Sequence, residues 1–440
     1  MSALGKAIDL PVLKRIFTFV RPYRGLFIGA VLLTVTGAVL GPLRPWLTQY
    51  TLDNYVIQGD QQGLIYMVMA MTGVLILQTV VMFLQSFQAS LIGQNVIRDL
   101  RVKLYRHILN FRMPFFDKTP IGTPVTRTVS DIETIADIFS DGIIIIIGDI
   151  LQLIVILGYM LYMDWQLTLV SLVTVPLLII ATNIFKNNVK RAFSDVRTQV
   201  AALNVFVQEH LTGMRIVQTF NKEEDELNGF KKINAKHKDA NIRSIWAYSI
   251  FFPVVEILSA ISIGLVVWWG AGNVIDGQAT FGTLVAFIMY INLMFRPMRE
   301  LADKFNTLQM GMVSSERIFQ MLDTPSGIRQ NGDIKDGRMK GEIEFRDVWF
   351  AYNDEDWVLK GINLKIKPAE TVAFVGATGA GKSTIINLIT RLYEIQRGSI
   401  TIDSVDIKDY DIDFLRKNVA IVLQDVFLFS DSIYQNITLG

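Results

Sequence analysis

The chain has 440 residues, 51% of them hydrophobic and only 19% charged, with 42 Lys and Arg set against 41 Asp and Glu. That is too apolar for an ordinary soluble enzyme, and a net charge of +1 argues against nucleic-acid binding as its main business. The absence of cysteine excludes disulfides and thiolate metal sites.

Stretches of about 20 apolar residues, the length that crosses a hydrocarbon core of roughly 30 Å, recur through the first two-thirds of the chain. Six spans are predicted: Gly25–Pro45, Leu64–Leu84, Ile143–Met163, Trp165–Phe185, Ile250–Ala271 and Phe281–Leu301. Core helices of a large soluble protein would be broken by charge every turn or two, and these are not. The first span is too long for a signal peptide and lacks a small-residue cleavage site, so it reads as an anchor.

Orientation follows from the basic residues. No Lys or Arg occurs between Arg44 and Arg98, between Arg127 and Lys186, or between Arg243 and Arg296, and the short loop joining each successive pair of spans falls in one of these gaps. Basic residues gather in the other segments, so both termini and both long loops are expected on the cytoplasmic side.

The long loops read as helical. From Leu64 the apolar pattern runs past the membrane to about Phe111, with no proline between Pro45 and Pro114, a helix of roughly 70 Å. The fourth span continues towards Thr219, with amphipathic spacing at Val196, Val200, Leu203 and Val207. Two short breaks lie at the tips, Met113–Ile121 and Thr219–Leu227. A long helix ending in a short transverse element acts as a lever on something in the cytosol.

Three ionisable residues inside spans stand out: Asp149 in the third, Glu256 in the fifth and Arg296 in the sixth. Counted inward at 1.5 Å per residue, all three share one layer of the inner leaflet. Such residues pair with each other or face a cavity. A structural network around Arg296 is one reading, acids that favour cationic amphipathic substrates are another, and snorkelling towards the cytoplasmic interface is a third.

A Gly-, Pro- and Asp-rich linker, 323–341, precedes strand-like runs at Glu342–Phe350, Val358–Ile366, Thr371–Val375, Ser399–Ile402 and Val419–Leu423. Between the third and fourth stands GATGAGKST: Gly376, Ala377, Thr378, Gly379, Ala380, Gly381, Lys382, Ser383 and Thr384. It fits G-x-x-x-x-G-K-[ST], in which glycines let backbone N–H groups cradle phosphates, the lysine reaches the terminal phosphates and the hydroxyl holds Mg²⁺. The run after it, Lys382 to Leu392, has a helical pattern, so phosphates would meet a helix N-terminus. The fold class is therefore a membrane all-α domain of six helices, 1–322, followed by part of an α/β P-loop ATPase domain, 342–440.

Six spans, a linker and this ATPase order resemble a half-transporter of the ABC exporter superfamily, over essentially the whole chain. The resemblance implies that Tyr352 stacks on adenine and that Gln424, in IVLQDVFLF, senses Mg²⁺ and the γ-phosphate. It makes Pro114, Phe115, Phe116, Asp117 and Lys118 the first coupling helix and puts Asn221, Lys222, Glu223 and Glu224 in the place of the second. It also implies ATP and Mg²⁺ as cofactors, a homodimer or heterodimer, and export of hydrophobic or amphipathic compounds from a bacterial cytoplasmic membrane. A dedicated lipid or peptide exporter or flippase is the alternative within transport; an ATP-binding membrane regulator is the alternative outside it.

The family's signature motif, catalytic glutamate and switch histidine are not found up to Gly440, and the three histidines, His107, His210 and His237, all precede the linker. The chain is read as the N-terminal part of a longer protein. Asp403, Asp406 and Asp425 lie near the P-loop in sequence, but none closes an apolar strand, and no general base is assigned.

Overall fold

The structure, a computed structural model, describes residues 9–325, 332–353, 356–424 and 427–438. Part of the expected linker and Asp425 lie outside the described residues. The chain divides into two compact units, one of residues 1–101 and 129–318, the other of residues 102–128 and 319–440. The tip after the second span thus belongs to the unit that carries the P-loop.

Helix α1 (Leu10–Val20), too short to count among the six spans, is amphipathic, with Ile16 and Val20 buried. Asp9 caps it by accepting the Val12 N–H at 3.3 Å. There follow α2 (Arg24–Thr51), α3 (Gln61–Leu109), α4 (Met113–Lys118) and α5 (Gly122–Thr126). Helices α6 (Ile132–Asp137) and α7 (Ile144–Met163) continue α5 through wider turns at Arg127–Asp131 and Ile138–Ile143. The remaining helices of the first half are α8 (Trp165–Leu172), α9 (Val175–Thr212), α10 (Met214–Thr219), α11 (Glu223–Ile275) and α12 (Phe281–Asp323).

Six of these stretches are long and apolar enough to cross a membrane. Each expected span falls in a helix, with α8 and α9 sharing the fourth. Helix α3 has 49 residues, roughly 74 Å at 1.5 Å each, so it outruns a bilayer core by more than a factor of two. Large apolar side chains such as Phe83, Ile180 and Trp268 are exposed at 66%, 57% and 72%. Such a surface suits hydrocarbon and not water.

The first unit packs chiefly through α9 against α11 and α2 against α7. Its core gathers Phe185, Phe251, Val255, Phe287, Tyr290 and Phe295, with Phe185 and Phe251 stacked at 3.9 Å. Two buried hydroxyls find backbone partners: Tyr290 donates to the Pro42 carbonyl at 2.9 Å and Ser262 to the Ser171 carbonyl at 2.9 Å. The short loops are held by acids. Asp53 accepts from the Thr280 hydroxyl at 2.6 Å and the Gly282 N–H at 2.9 Å, and Asp164 caps α8 through the Gln166 and Leu167 N–H groups.

At the second tip the break is shorter than expected. A short helix, α10, ends at Thr219, so only residues 220–222 separate it from α11. Asn221 adopts a left-handed φ of 49° in a tight turn, Lys222 caps α11, and Glu223 and Glu224 are already in that helix's first turn. Four acids there, Glu223 to Glu226, complement the positive helix end, which explains why so polar a run is helical.

In the second unit, β1 (Ile343–Ala351), β2 (Trp357–Ile366), β3 (Arg397–Ile402) and β4 (Val405–Asp406) form an antiparallel sheet in the order β2-β1-β3-β4. Ile343 stands opposite both Ile366 and Ile402. Helices α13 (Lys382–Ile389), α14 (Ile412–Asn418) and α15 (Ile433–Thr438) complete the described elements. Phe345, Val348, Phe350, Leu388, Ile400 and Leu415 form the core between sheet and helices. The end of the linker is tied down, since Ile334 bridges Tyr410 and its carbonyl accepts the Asp411 N–H at 2.9 Å.

Two expected strands do not form ladders. Thr371–Val375 and Val419–Leu423 lie outside regular structure, and Val375 and Val422 are exposed at 94% and 98%. An apolar run becomes a strand only when a neighbour takes its N–H and C=O groups, and among the described residues neither run has one.

Candidate nucleotide site and membrane cavity

The P-loop is shaped by its glycines. Gly379 and Gly381 have φ of 87° and 75°, in the left-handed region, and Gly381 caps α13. A Cβ on Gly381 would lie 2.7 Å from Leu359 Cδ2, so sterics also require glycine there. The Ala380 N–H closes the turn on the Ala377 carbonyl at 3.2 Å. Thr378 lies inside that turn.

Lys382 curls back over the loop, its ammonium donating to the Gly376 and Ala377 carbonyls at 3.0 Å each. Among the described residues no carboxylate pairs with it, so its charge is available to an anion. Ser383 is exposed beside it, whereas Thr384 is buried at 4%. A loop of free N–H groups, a helix N-terminus and an unpaired ammonium fit a polyphosphate. The residues that would hold one are Gly376 to Ser383.

Tyr352 donates or accepts at the Thr384 hydroxyl over 3.1 Å and meets Phe350 and Tyr393 edge to face at 4.9 and 5.1 Å. At 38% exposure it keeps ring surface for stacking on a base. Gln424 is exposed, and among the described residues no hydrogen bond ties it to the P-loop.

The same unit holds α4. Phe115 packs on Phe111 at 4.2 Å and on Phe116 at 5.4 Å, and Pro114 opens the helix. The polar contacts run elsewhere: Tyr393 donates to Asp117 at 2.8 Å, and Arg112 lies 3.8 Å from Glu394. Burial and the adjoining Asp117 carboxylate push the Tyr393 hydroxyl well above the usual tyrosine range, so it stays a donor. Sequence reasoning missed Tyr393, whose only signal is its place shortly after α13. Thr384, Tyr352, Tyr393 and Asp117 form one contact chain from the P-loop helix to α4.

The nearby acids are structural. Burial alone would raise Asp403, but N–H groups of Glu342, Lys340 and Gly341 hold its carboxyl below the ordinary value. The bonds from Lys340 and Glu342 are 2.6 and 3.0 Å long. Asp406 accepts the Lys408 N–H at 2.9 Å. Both stabilise turns.

The first unit contains a cavity of about 490 Å³ whose wall includes Asp149 and Arg296. Glu256 does not line it; it lies by a separate groove with Phe252, Pro253 and Ile257. Asp149 and Arg296 thus line one cavity without Glu256, and the charged groups that join them there are Lys304, Glu300 and Arg44. Asp149 pairs with Lys304 at 2.6 Å, Lys304 with Glu300 at 2.9 Å, and Glu300 with Arg296 at 3.7 Å. Lys304 lies one turn beyond Leu301, where the sixth span was expected to end, although its i,i+4 spacing from Glu300 and i,i+8 from Arg296 was a readable signal.

Residues 26–298 match the family model described as the ABC transporter transmembrane region, and residues 359–437 match the one described as ABC transporter. An uncharacterized ABC transporter ATP-binding protein of Bacillus subtilis, YknV, is 32% identical over 97% of this chain and 71% of its own length. Proteins named ATP-dependent lipid A-core flippase are similar too. That of Syntrophus aciditrophicus is 30% identical over 98% of this chain and 72% of its own. That of Desulfotalea psychrophila is 31% identical over 98% and 75%.

Proposed function

The chain belongs to the ABC transporter family, and on that footing we propose that it is one half of a dimeric ATP-driven exporter of hydrophobic or amphipathic compounds. The observation that carries this reading is the seating of α4. It follows directly on the 49-residue α3, which crosses the membrane, yet its Asp117 is bonded to Tyr393 beside the P-loop unit's Tyr352. A helix that shares both places can convert a change at the nucleotide into a movement in the membrane.

ATP supplies the phosphoanhydride bond whose cleavage drives the cycle. Lys382 and the loop N–H groups would hold its β- and γ-phosphates, Ser383 with Gln424 its Mg²⁺, and Tyr352 its base. The Asp117, Phe115 and Phe116 cluster would carry the first coupling contact, and α10 with the Asn221–Glu224 turn the second. The charge distribution supports a cytoplasmic side for both ends of this chain and for both tips. The second half is another copy or a different half-transporter. The names of two relatives support a dedicated lipid flippase as the second reading.

The test is amphiphile-stimulated ATP turnover by the product of the whole gene, purified into nanodiscs. Several-fold stimulation by an amphiphile is expected, on the order of that seen when a ligand favours one of two states by about 1 kcal/mol. Turnover indifferent to every amphiphile tried would support an ATP-binding regulator instead.

A further inference from the structure

Within the reading of the chain as an exporter of amphiphiles, we infer that its membrane cavity selects an anionic amphiphile, one carrying a phosphate, sulfonate or carboxylate headgroup, over a cationic one. Asp149, the acid that would otherwise attract a cation, is spoken for by Lys304 at 2.6 Å, and both side chains are nearly out of solvent at 16% and 14% exposure. Glu300 is shared between Lys304 at 2.9 Å and Arg296 at 3.7 Å. Among the described residues the wall thus carries three cations, Arg44, Arg296 and Lys304, against two carboxylates, Asp149 and Glu300.

The excess sits in identifiable places. Arg44 has no carboxylate within ion-pair distance among the described residues, and Arg296 holds only the long contact to Glu300, with 72% of its side chain exposed. On the wall of a cavity lined partly by apolar groups, an unbalanced positive charge attracts an anion and repels a cation. The cavity reaches along α2 from Thr34 to Arg44, about 15 Å at 1.5 Å per residue. That is long enough for a headgroup and part of a tail. Gln78, Gln85 and Gln152 add amides to the wall, and the buried Gln78 Oε1 has no hydrogen-bond partner, so this amide retains bonding capacity. Aliphatic side chains such as Met82, Ile144 and Leu293 fill the rest of the wall, which accounts for an amphiphile rather than a free anion.

Isothermal titration of the whole-gene protein in nanodiscs, with empty nanodiscs as the blank, tests this using three probes of equal tail. Dodecyl phosphate should bind roughly tenfold more tightly than dodecyltrimethylammonium, with dodecyl maltoside between them. Arg44→Gln and Arg296→Gln should each weaken dodecyl phosphate by roughly fivefold and leave dodecyl maltoside unchanged, which also shows that the variants are folded. Asp149→Asn releases Lys304 and should raise dodecyl phosphate affinity, an effect that a misfolded variant cannot produce. Tighter binding of the cation, or anion affinity that falls or stays level in Asp149→Asn, overturns the inference while the exporter reading stands. Inorganic phosphate competing as well as dodecyl phosphate overturns the amphiphile class. If no probe binds above the blank, the exporter reading fails with it.

Discussion

Lys382→Ala is expected to weaken nucleotide binding by about two orders of magnitude. The ammonium is the one charge the P-loop offers to the terminal phosphates, and it is paired only with two neutral carbonyls at 3.0 Å. Its removal deletes charge-assisted hydrogen bonds worth about 2–3 kcal/mol, and each 1.4 kcal/mol is a factor of ten in affinity. The loop should keep its shape, because that shape rests on Gly379, Gly381 and the Ala380–Ala377 bond rather than on the lysine. Tyr352→Ala removes one face of stacking, about 1 kcal/mol, and should cost about fivefold. Titration with a fluorescent ATP analogue separates the two, and affinity unchanged in Lys382→Ala would refute the site.

The second large effect concerns α4. Replacing Phe115 and Phe116 together with alanine should lower the amount transported per ATP hydrolysed on the order of tenfold, because truncating the two half-buried aromatic rings weakens the contact that α4 makes. Nucleotide affinity should stay within about twofold, since neither ring touches the P-loop. Tyr393→Phe is the finer version. It keeps the ring that meets Tyr352 at 5.1 Å and removes only the hydroxyl bonded to Asp117, so it should uncouple in the same direction but less. Equal loss of binding and transport in all of these variants would reduce α4 to a structural prop.

Much of this was readable from residues alone, for definite reasons. The spans were legible because stretches without Lys or Arg coincide with apolar runs of membrane length, and the P-loop because its glycines and lysine occupy fixed positions. Periodicity could not show which acid meets which base. Lys304 escaped because a span of about 20 residues ends before it, although α12 continues as one helix to Asp323. Tyr393 escaped because its partner Asp117 is 276 positions away in the chain. The runs Thr371–Val375 and Val419–Leu423 show the opposite limit: apolar alternation reports a wish for burial, but a strand also needs a partner for its backbone. Glu256 shared a calculated depth with Asp149, and depth says nothing about which way a helix face points.

The account stands most directly on transport itself. Inverted membrane vesicles carrying the whole-gene protein should accumulate a fluorescent anionic amphiphile only when ATP is added, and vesicles carrying Lys382→Ala should not. Accumulation that proceeds at the same rate without ATP, or equally well in Lys382→Ala, would contradict it.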